Sequence, residues 1–344
     1  MRIQSIDTFK GLAIMAVVVI HTEPFLGNKA IKANWYYLGE ALQQISSFAV
    51  PFFFIAAGYF FSKGIERDGL QKRWWQYASR LFALLLLWIL IDGVLWGDWL
   101  KEVIDARSLS PLLWNLHAIP SFAEKRPDLF LFRGTAVPLW FLVSLIFAIS
   151  LLTACLKLLK NPAVLLAIGC CAYVFTVLTS FYSDTSLGIG LNLPLEQRGP
   201  LIAFSFLTLG YFFATRDISP QRAKLILILA VCINFSESGL LSHFSGMPFQ
   251  ERQYLFSTFI VSGSMFLYSL QNPTFGTASI YSKIGNRSLG VYLVHTPVLG
   301  AFIPMRNAFT SPIWEVGFFI IVLTVSYALV SMLVKVPYVR LSVL

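Results

Sequence analysis

Four ionisable residues in the first apolar segment could do chemistry. Asp7, Lys10, His21 and Glu23 lie within the run IDTFKGLAIMAVVVIHTEPF, which is otherwise mostly apolar. An ionisable group inside a lipid bilayer is costly unless it is paired or hydrated, so each one is a hypothesis for a functional site. Histidine also changes charge near neutral pH, which suits it to accept or donate a proton in a reaction.

The spacing of Lys10 and His21 places both on one helix face. At about 100° per residue, eleven residues make three turns plus roughly 20°, and the axial separation is about 16.5 Å. The two side chains cannot touch, but a long, thin ligand along the helix could contact both. Two other interpretations stay open. Lys10 could be an interfacial lysine that extends toward water, and His21 could bond to a neighbouring helix.

The composition predicts the elements that must position these residues. The 344 residues are 57% hydrophobic and only 12% charged, with a mean hydropathy of +0.70. Soluble domains carry about 25% charged residues, so a soluble enzyme, a disordered chain and a disulfide scaffold are excluded. The net charge of +9 is not gathered on a long polar stretch, so no nucleic-acid partner is expected.

The apolar segments predict an all-α, polytopic membrane bundle that forms one domain over residues 1–344. A spanning helix needs about 20 mostly apolar residues. About ten stretches qualify, and no internal repeat relates them: 9–27, 42–62, 74–97, 138–158, 162–181, 199–214, 223–241, 253–270, 289–305 and 313–334.

The distribution of basic residues predicts the orientation. If the N-terminus is cytoplasmic, most of the 26 Lys and Arg residues fall on cytoplasmic segments, as the positive-inside rule requires. An even number of spans then places both termini in the cytoplasm. The loop at about 98–137 becomes extracytoplasmic, where it could cover a site as a lid.

Five segments resemble, in order, the motifs of the membrane-bound acyltransferase 3 family. The first motif is a basic residue followed by ten residues and a histidine. Lys10 and His21 match it, and Asp7 and Gly11 are at the expected positions beside them. The others are SSFAVPFFFIAAGYFF, ASRLFALLLLW, PLWFL and GNRSLGVYLVH. Two departures concern the donor contacts: Lys10 replaces the more common arginine, and leucine replaces the proline that usually follows the basic residue of the third helix.

The resemblance implies an O-acyltransferase of the cell (inner) membrane. Its donor would be cytoplasmic acetyl-CoA or another acyl-CoA, used as a co-substrate, with no bound cofactor and no metal. Its acceptor would be a hydroxyl of a surface carbohydrate or glycolipid. The implied catalytic residues are His21 as base, with Lys10, Asp7 and Glu23. The implied donor-binding residues are Lys72, Arg73, Arg80, Trp140 and His295, and the implied acceptor-binding residues are Glu23 and Arg198.

Two other classes of function compete with this interpretation. A transporter or flippase could use His21, Glu23 and Lys10 as a proton or substrate path. The lack of an internal repeat disfavours it, because many transporters are built from two repeats. A structural membrane subunit would explain the composition but not the polar residues of the first segment.

Overall fold

The computed structural model describes residues 3–27, 29–183, 185–191, 195–216, 222–245 and 254–336, and these are almost entirely helical. The α-helices are α1 (Gln4–Thr22), α2 (Lys29–Ser46), α3 (Ala49–Asp68), α4 (Leu70–Val94), α5 (Trp99–Ala106), α6 (Ser110–Lys125), α7 (Pro127–Arg133), α8 (Trp140–Leu158), α9 (Pro162–Leu178), α10 (Leu195–Thr215), α11 (Ala223–Ser245), α12 (Phe256–Gln271), α13 (Ile280–Gly285), α14 (Ser288–Ala308) and α15 (Pro312–Leu333). A short 3₁₀ turn, Val137–Leu139, precedes α8. The prediction of an all-α polytopic bundle is confirmed.

Seven helical segments of the described chain are long and apolar enough to cross a membrane. The other three predicted spans fall on α9, α10 and α12. Helices α9 and α12 have only 17 and 16 residues, and α10 carries ionisable residues in its first turn. The first residue of the predicted span 253–270 lies outside the described residues.

Two segments differ from the sequence prediction. The predicted span 42–62 starts inside α2 and is interrupted by a turn at 47–48, so that the spanning helix proper is α3. Helix α2 is an additional amphipathic element between α1 and α3. The predicted loop 98–137 folds into α5, α6 and α7, which pack on the end of the bundle where His21 lies.

Glycine at helix crossings brings the site-bearing helices close together. A Cβ at Gly58 of α3 would lie 2.1 Å from the carbonyl oxygen of Leu207, and one at Gly210 of α10 would lie 2.0 Å from that of Ile55. A Cβ at Gly11 of α1 would lie 2.0 Å from the Tyr281 carbonyl oxygen, beside α13. Small residues permit such close helix contacts inside a membrane.

The polar residues that interrupt α11 have structural partners. The carboxylate of Glu237 accepts hydrogen bonds from the backbone N–H groups of Phe256 and Ser257, at 3.0 and 2.9 Å. These are open donors at the first turn of α12, where a negative charge is favourable. Asn234 accepts a hydrogen bond from Gln44 of α2 at 2.6 Å and donates one to Ser257 at 3.0 Å. This network joins three helices.

Candidate functional site

Two histidines from different helices face each other in the interior of the bundle. The ring centroids of His21 on α1 and His295 on α14 are 5.0 Å apart, with an angle of 45° between the ring planes. His295 is completely buried, whereas His21 is half-buried. The resemblance implied that His295 binds the donor, without a position relative to His21. The structure places both rings at one site.

The hydrogen bond of His295 defines which ring nitrogen can act as a base. Its Nδ1 contacts the backbone carbonyl oxygen of Tyr292. A carbonyl only accepts hydrogen bonds, so Nδ1 carries the proton and Nε2 presents a lone pair in the neutral ring. Nε2 is buried and has no hydrogen-bond partner among the described residues.

The end of α1 explains the position of His21. The helix stops at Thr22, because Glu23 adopts a left-handed conformation with φ 44° and Pro24 cannot continue the hydrogen-bond ladder. The side-chain amide of Gln43 on α2 donates to the Ile20 carbonyl oxygen at 3.3 Å. His21 therefore lies in the last turn of a helix whose end is fixed by α2.

Both histidines line a cavity of about 330 Å³, which we call the histidine cavity. Its walls come from α1, the end of α4, the segment before α8, and α14. The lining residues are His21, Asp92, Leu95, Trp96, Gly97, Ala136, Val137, Pro138, His295, Thr296, Leu299, Gly300 and Ile303. The cavity thus places two imidazoles and one carboxyl group among apolar walls.

Asp92 is the site residue that the sequence reasoning missed. It lies near the end of α4, is 3% exposed, and its Oδ1 has no hydrogen-bond partner within the described ranges. A carboxyl group in the apolar run 81–95 was a detectable signal, because ionisable residues in spans are expensive to bury. Within the described ranges, no three His, Cys, Asp or Glu side chains are placed to hold a metal ion.

Lys10 lies at the other end of α1, next to Asp7. The Nζ of Lys10 is 3.7 Å from Oδ1 of Asp7, and it stands 5.0 Å from the centroid of the Phe60 ring. The Lys10 side chain is 24% exposed. Asp7 and Phe60 therefore hold the ammonium group in place while leaving part of it accessible.

Lys10 borders two adjoining concave surfaces. The first, the Lys10 mouth, has about 230 Å³ and is lined by Asp7, Lys10, Gly285, Asn286, Arg287, Ser288 and Leu289. The second, the Lys10 groove, has about 170 Å³ and is lined by Lys10, Phe53, Ala56, Ala57, Phe60, Tyr77, Leu81, Phe141, Leu145, Ser288, Leu289 and Tyr292. The mouth is polar and carries two cations, and the groove is mainly apolar.

Tyr292 stands between the Lys10 groove and the histidine cavity. Its ring lines the groove, and its hydroxyl donates a hydrogen bond to the carbonyl oxygen of Pro138, which lines the cavity. His295 follows one turn later on the same helix. The mouth and the groove therefore meet at Lys10, and Tyr292 and Pro138 lie between the groove and the cavity.

The three predicted donor-binding cations of α4 differ in their surroundings. Arg73 stacks over Tyr77 at 5.3 Å and donates to the Phe60 carbonyl oxygen at 3.4 Å, so it borders the Lys10 groove. Lys72 and Arg80 are exposed. Arg80 lies on the same face as Arg73, because the two are seven residues apart.

Three other predicted site residues do not line the histidine cavity. Glu23 is exposed, and its backbone carbonyl accepts a hydrogen bond from Arg306 at 3.0 Å. Trp140 is buried and packs edge-on against Phe54 at 6.1 Å. Arg198 lies over the ring of Phe181 at 4.7 Å. Their roles in donor and acceptor binding stay predictions.

A buried ion pair near His21 was also missed from the sequence. Arg306 on α14 and Glu315 on α15 are 2.9 Å apart, with side chains that are 12% and 0% exposed. Glu315 also accepts a hydrogen bond from the backbone N–H of Phe25 at 3.2 Å. The pair ties the turn after α1 to both C-terminal helices.

Comparison with known proteins adds a family assignment to this geometry. The sequence model of one family, described as an acyltransferase domain, matches residues 3–331. No curated protein and no solved structure matches the chain. The matched range contains every residue of the mouth, the groove and the cavity.

Proposed function

The chain belongs to the acyltransferase 3 family, and from this premise we propose that it is an O-acyltransferase that moves an acetyl group from cytoplasmic acetyl-CoA to a hydroxyl of a cell-surface or lipid-linked carbohydrate. The observation that carries the proposal is the placement of three concave surfaces. A polar mouth with Lys10 and Arg287 adjoins a mainly apolar groove at Lys10, and the groove and the cavity of the two facing imidazoles lie on either side of Tyr292 and Pro138.

The shape and charge of these surfaces suit acyl-CoA. The nucleotide end of CoA is polyanionic, and Lys10, Arg287 and Arg73 surround the mouth and the adjoining wall of the groove. The pantetheine arm is long, thin and largely uncharged, which suits the apolar groove. The axial rise of about 16.5 Å between Lys10 and His21 is then the distance over which the arm delivers the thioester. The hydrogen bond from Tyr292 to Pro138 lies between the groove and the cavity, so the arm reaches the cavity only when that bond opens.

The histidines supply the acid–base chemistry. A sugar hydroxyl is a weak nucleophile at neutral pH and needs a base within hydrogen-bond reach. His21 takes the hydroxyl proton while the oxygen forms a bond to the acyl carbon. The carbon–sulfur bond then breaks, and the imidazolium returns the proton to the departing CoA sulfur. His295, fixed by Tyr292, presents its Nε2 lone pair beside His21 and stabilises the imidazolium.

The positive-inside bias supports an orientation with the Lys10 end in the cytoplasm and the histidine cavity toward the opposite face. The donor is then used on the side where it is made, and the acceptor enters from outside. Helix α5 packs on α14 and helix α6 packs on α4, the two helices that supply Asp92 and His295 to the cavity. In a bacterium this arrangement corresponds to the inner membrane.

A lysine variant tests the donor part of this proposal. Lys10→Ala removes a charged hydrogen-bond donor worth about 1.5–3 kcal/mol, so KM for acetyl-CoA should rise roughly 10- to 100-fold. Lys10→Arg should keep most of the donor affinity because the charge remains. The measurement is initial-rate CoA release by purified protein in detergent. Lys63→Ala, at an exposed lysine paired with Glu66, is the matched control, and an unchanged KM for Lys10→Ala would remove this residue from the donor site.

A further inference from the structure

Asp92 is a buried polar group of the histidine cavity that the proton transfers above do not use. It is 3% exposed and its Oδ1 has no hydrogen-bond partner in the part of the chain that the structure describes. Among the described residues, the cavity lining contains no lysine or arginine. A buried carboxyl oxygen without a partner is unfavourable, so a ligand in the cavity is the natural source of its hydrogen bonds.

Trp96 follows Asp92 by four residues and lines the same cavity. It is 50% exposed, which leaves one part of the indole open to a ligand. The turn that carries it is held tightly against α14. A Cβ at Gly300 would lie 2.4 Å from the Gly97 carbonyl oxygen, and the Trp99 indole donates to the Pro297 carbonyl oxygen at 2.9 Å. The indole therefore extends from a fixed support.

A carboxyl group and an accessible indole in one cavity suit a particular class of ligand. A saccharide ring presents hydroxyl donors at its edge and C–H groups on its faces. The carboxyl oxygens can accept hydrogen bonds from two neighbouring hydroxyls, and the indole offers a flat apolar surface to the ring face. A few polar groups placed in an otherwise apolar pocket are typical of sites that fix the orientation of a ligand.

We propose that Asp92 and Trp96 form the acceptor subsite, in which Asp92 holds hydroxyls of a saccharide ring that lies on Trp96. This arrangement presents a further hydroxyl of the same ring to His21. The inference rests on the proposed acyl transfer and adds to it the residues that bind the acceptor.

The experiment separates acceptor binding from chemistry. Purified full-length protein in detergent receives radiolabelled acetyl-CoA and increasing amounts of surface glycan extracted from the native cell, and label in the glycan gives KM and kcat. For Asp92→Asn we expect KM for the glycan to rise at least about tenfold, because an unmade hydrogen bond in a polar subsite is costly. We expect kcat and the KM for acetyl-CoA to remain near the wild-type values.

Trp96 variants test the second half of the subsite. Trp96→Ala should raise the same KM, and Trp96→Phe should retain more of the affinity because a flat ring remains. Asp98→Asn, in the same turn, and Trp114→Ala, at a side chain that is 75% exposed, are matched controls expected to behave like wild type.

Three other outcomes would contradict the inference, and the kinetic constants distinguish them from one another. A fall in kcat at unchanged glycan KM would place Asp92 in the chemical step instead of the acceptor subsite. Wild-type kinetics in Asp92→Asn and Trp96→Ala would exclude both from acceptor binding. If the wild-type protein itself labels no glycan, the proposed function fails and the inference fails with it.

Discussion

Replacing His21 by alanine should lower acyl transfer at least about 100-fold, because a positioned general base contributes about 10²- to 10⁴-fold to such reactions. His21 lies in the cavity that the proposed donor path reaches, and its ring faces His295 at 5.0 Å. The measurement is the initial rate of label transfer from acetyl-CoA by the purified variant. The affinity for acetyl-CoA should change little, because the nucleotide binds at the other end of α1.

Two further variants make the His21 result specific. His243→Ala changes an exposed histidine of α11 and should leave the rate unchanged. His295→Ala should also lower the rate, since it removes the neighbouring ring. If His21→Ala keeps the wild-type rate while His295→Ala loses it, the base is His295, and the role assigned to His21 is wrong.

Breaking the ion pair of Arg306 and Glu315 should cause the largest loss of stability. The two side chains are nearly or completely buried and 2.9 Å apart. Removing one partner leaves an uncompensated charge, which costs about 3–5 kcal/mol in buried pairs. Glu315→Ala should therefore lower the unfolding midpoint in detergent strongly. Activity should fall as well, because Glu315 holds the turn that follows His21.

The first control removes the acidic partner of an exposed ion pair, and the second removes both charges of the buried pair. Lys63 and Glu66 are also 2.9 Å apart, but both are exposed, so Glu66→Ala should leave the unfolding midpoint nearly unchanged. Replacing both Arg306 and Glu315 by methionine removes the two charges together, and the double variant should be more stable than Glu315→Ala. If Glu66→Ala and Glu315→Ala lower the unfolding midpoint equally, burial does not explain the contribution of the Arg306–Glu315 pair to stability.

The sequence predicted most of the membrane-embedded helices because their signal is local. Long apolar runs such as 74–97 and 138–158 are visible in composition alone, and they correspond to α4 and α8. The position of the turn at 47–48 was not visible, because Ser46, Ser47 and Phe48 sit inside an apolar run that could also continue as one helix. The helices of the segment 98–137 were missed because they are short and carry mixed charge.

The candidate site was only partly predictable for a different reason. Lys10 and His21 belong to one helix, so helical periodicity relates them directly. The proximity of His21 to His295 depends on how α1 and α14 pack, and no local pattern encodes that distance. Asp92 and Glu315 were detectable as ionisable residues in apolar segments. The ion pair of Glu315, and the lack of a hydrogen-bond partner for Asp92 Oδ1 among the described residues, depend on how the helices pack.

The central claim is that an acyl group crosses from a donor at the Lys10 end to an acceptor at the histidine cavity. Sealed membrane vesicles with the cytoplasmic face inside test it most directly. They are loaded with radiolabelled acetyl-CoA and exposed to extracted glycan only on the outside. We expect label on the outer glycan, with CoA retained in the lumen and no labelling in vesicles carrying His21→Ala. Transfer only to glycan enclosed with the donor, and none to the outer glycan, would contradict the claim.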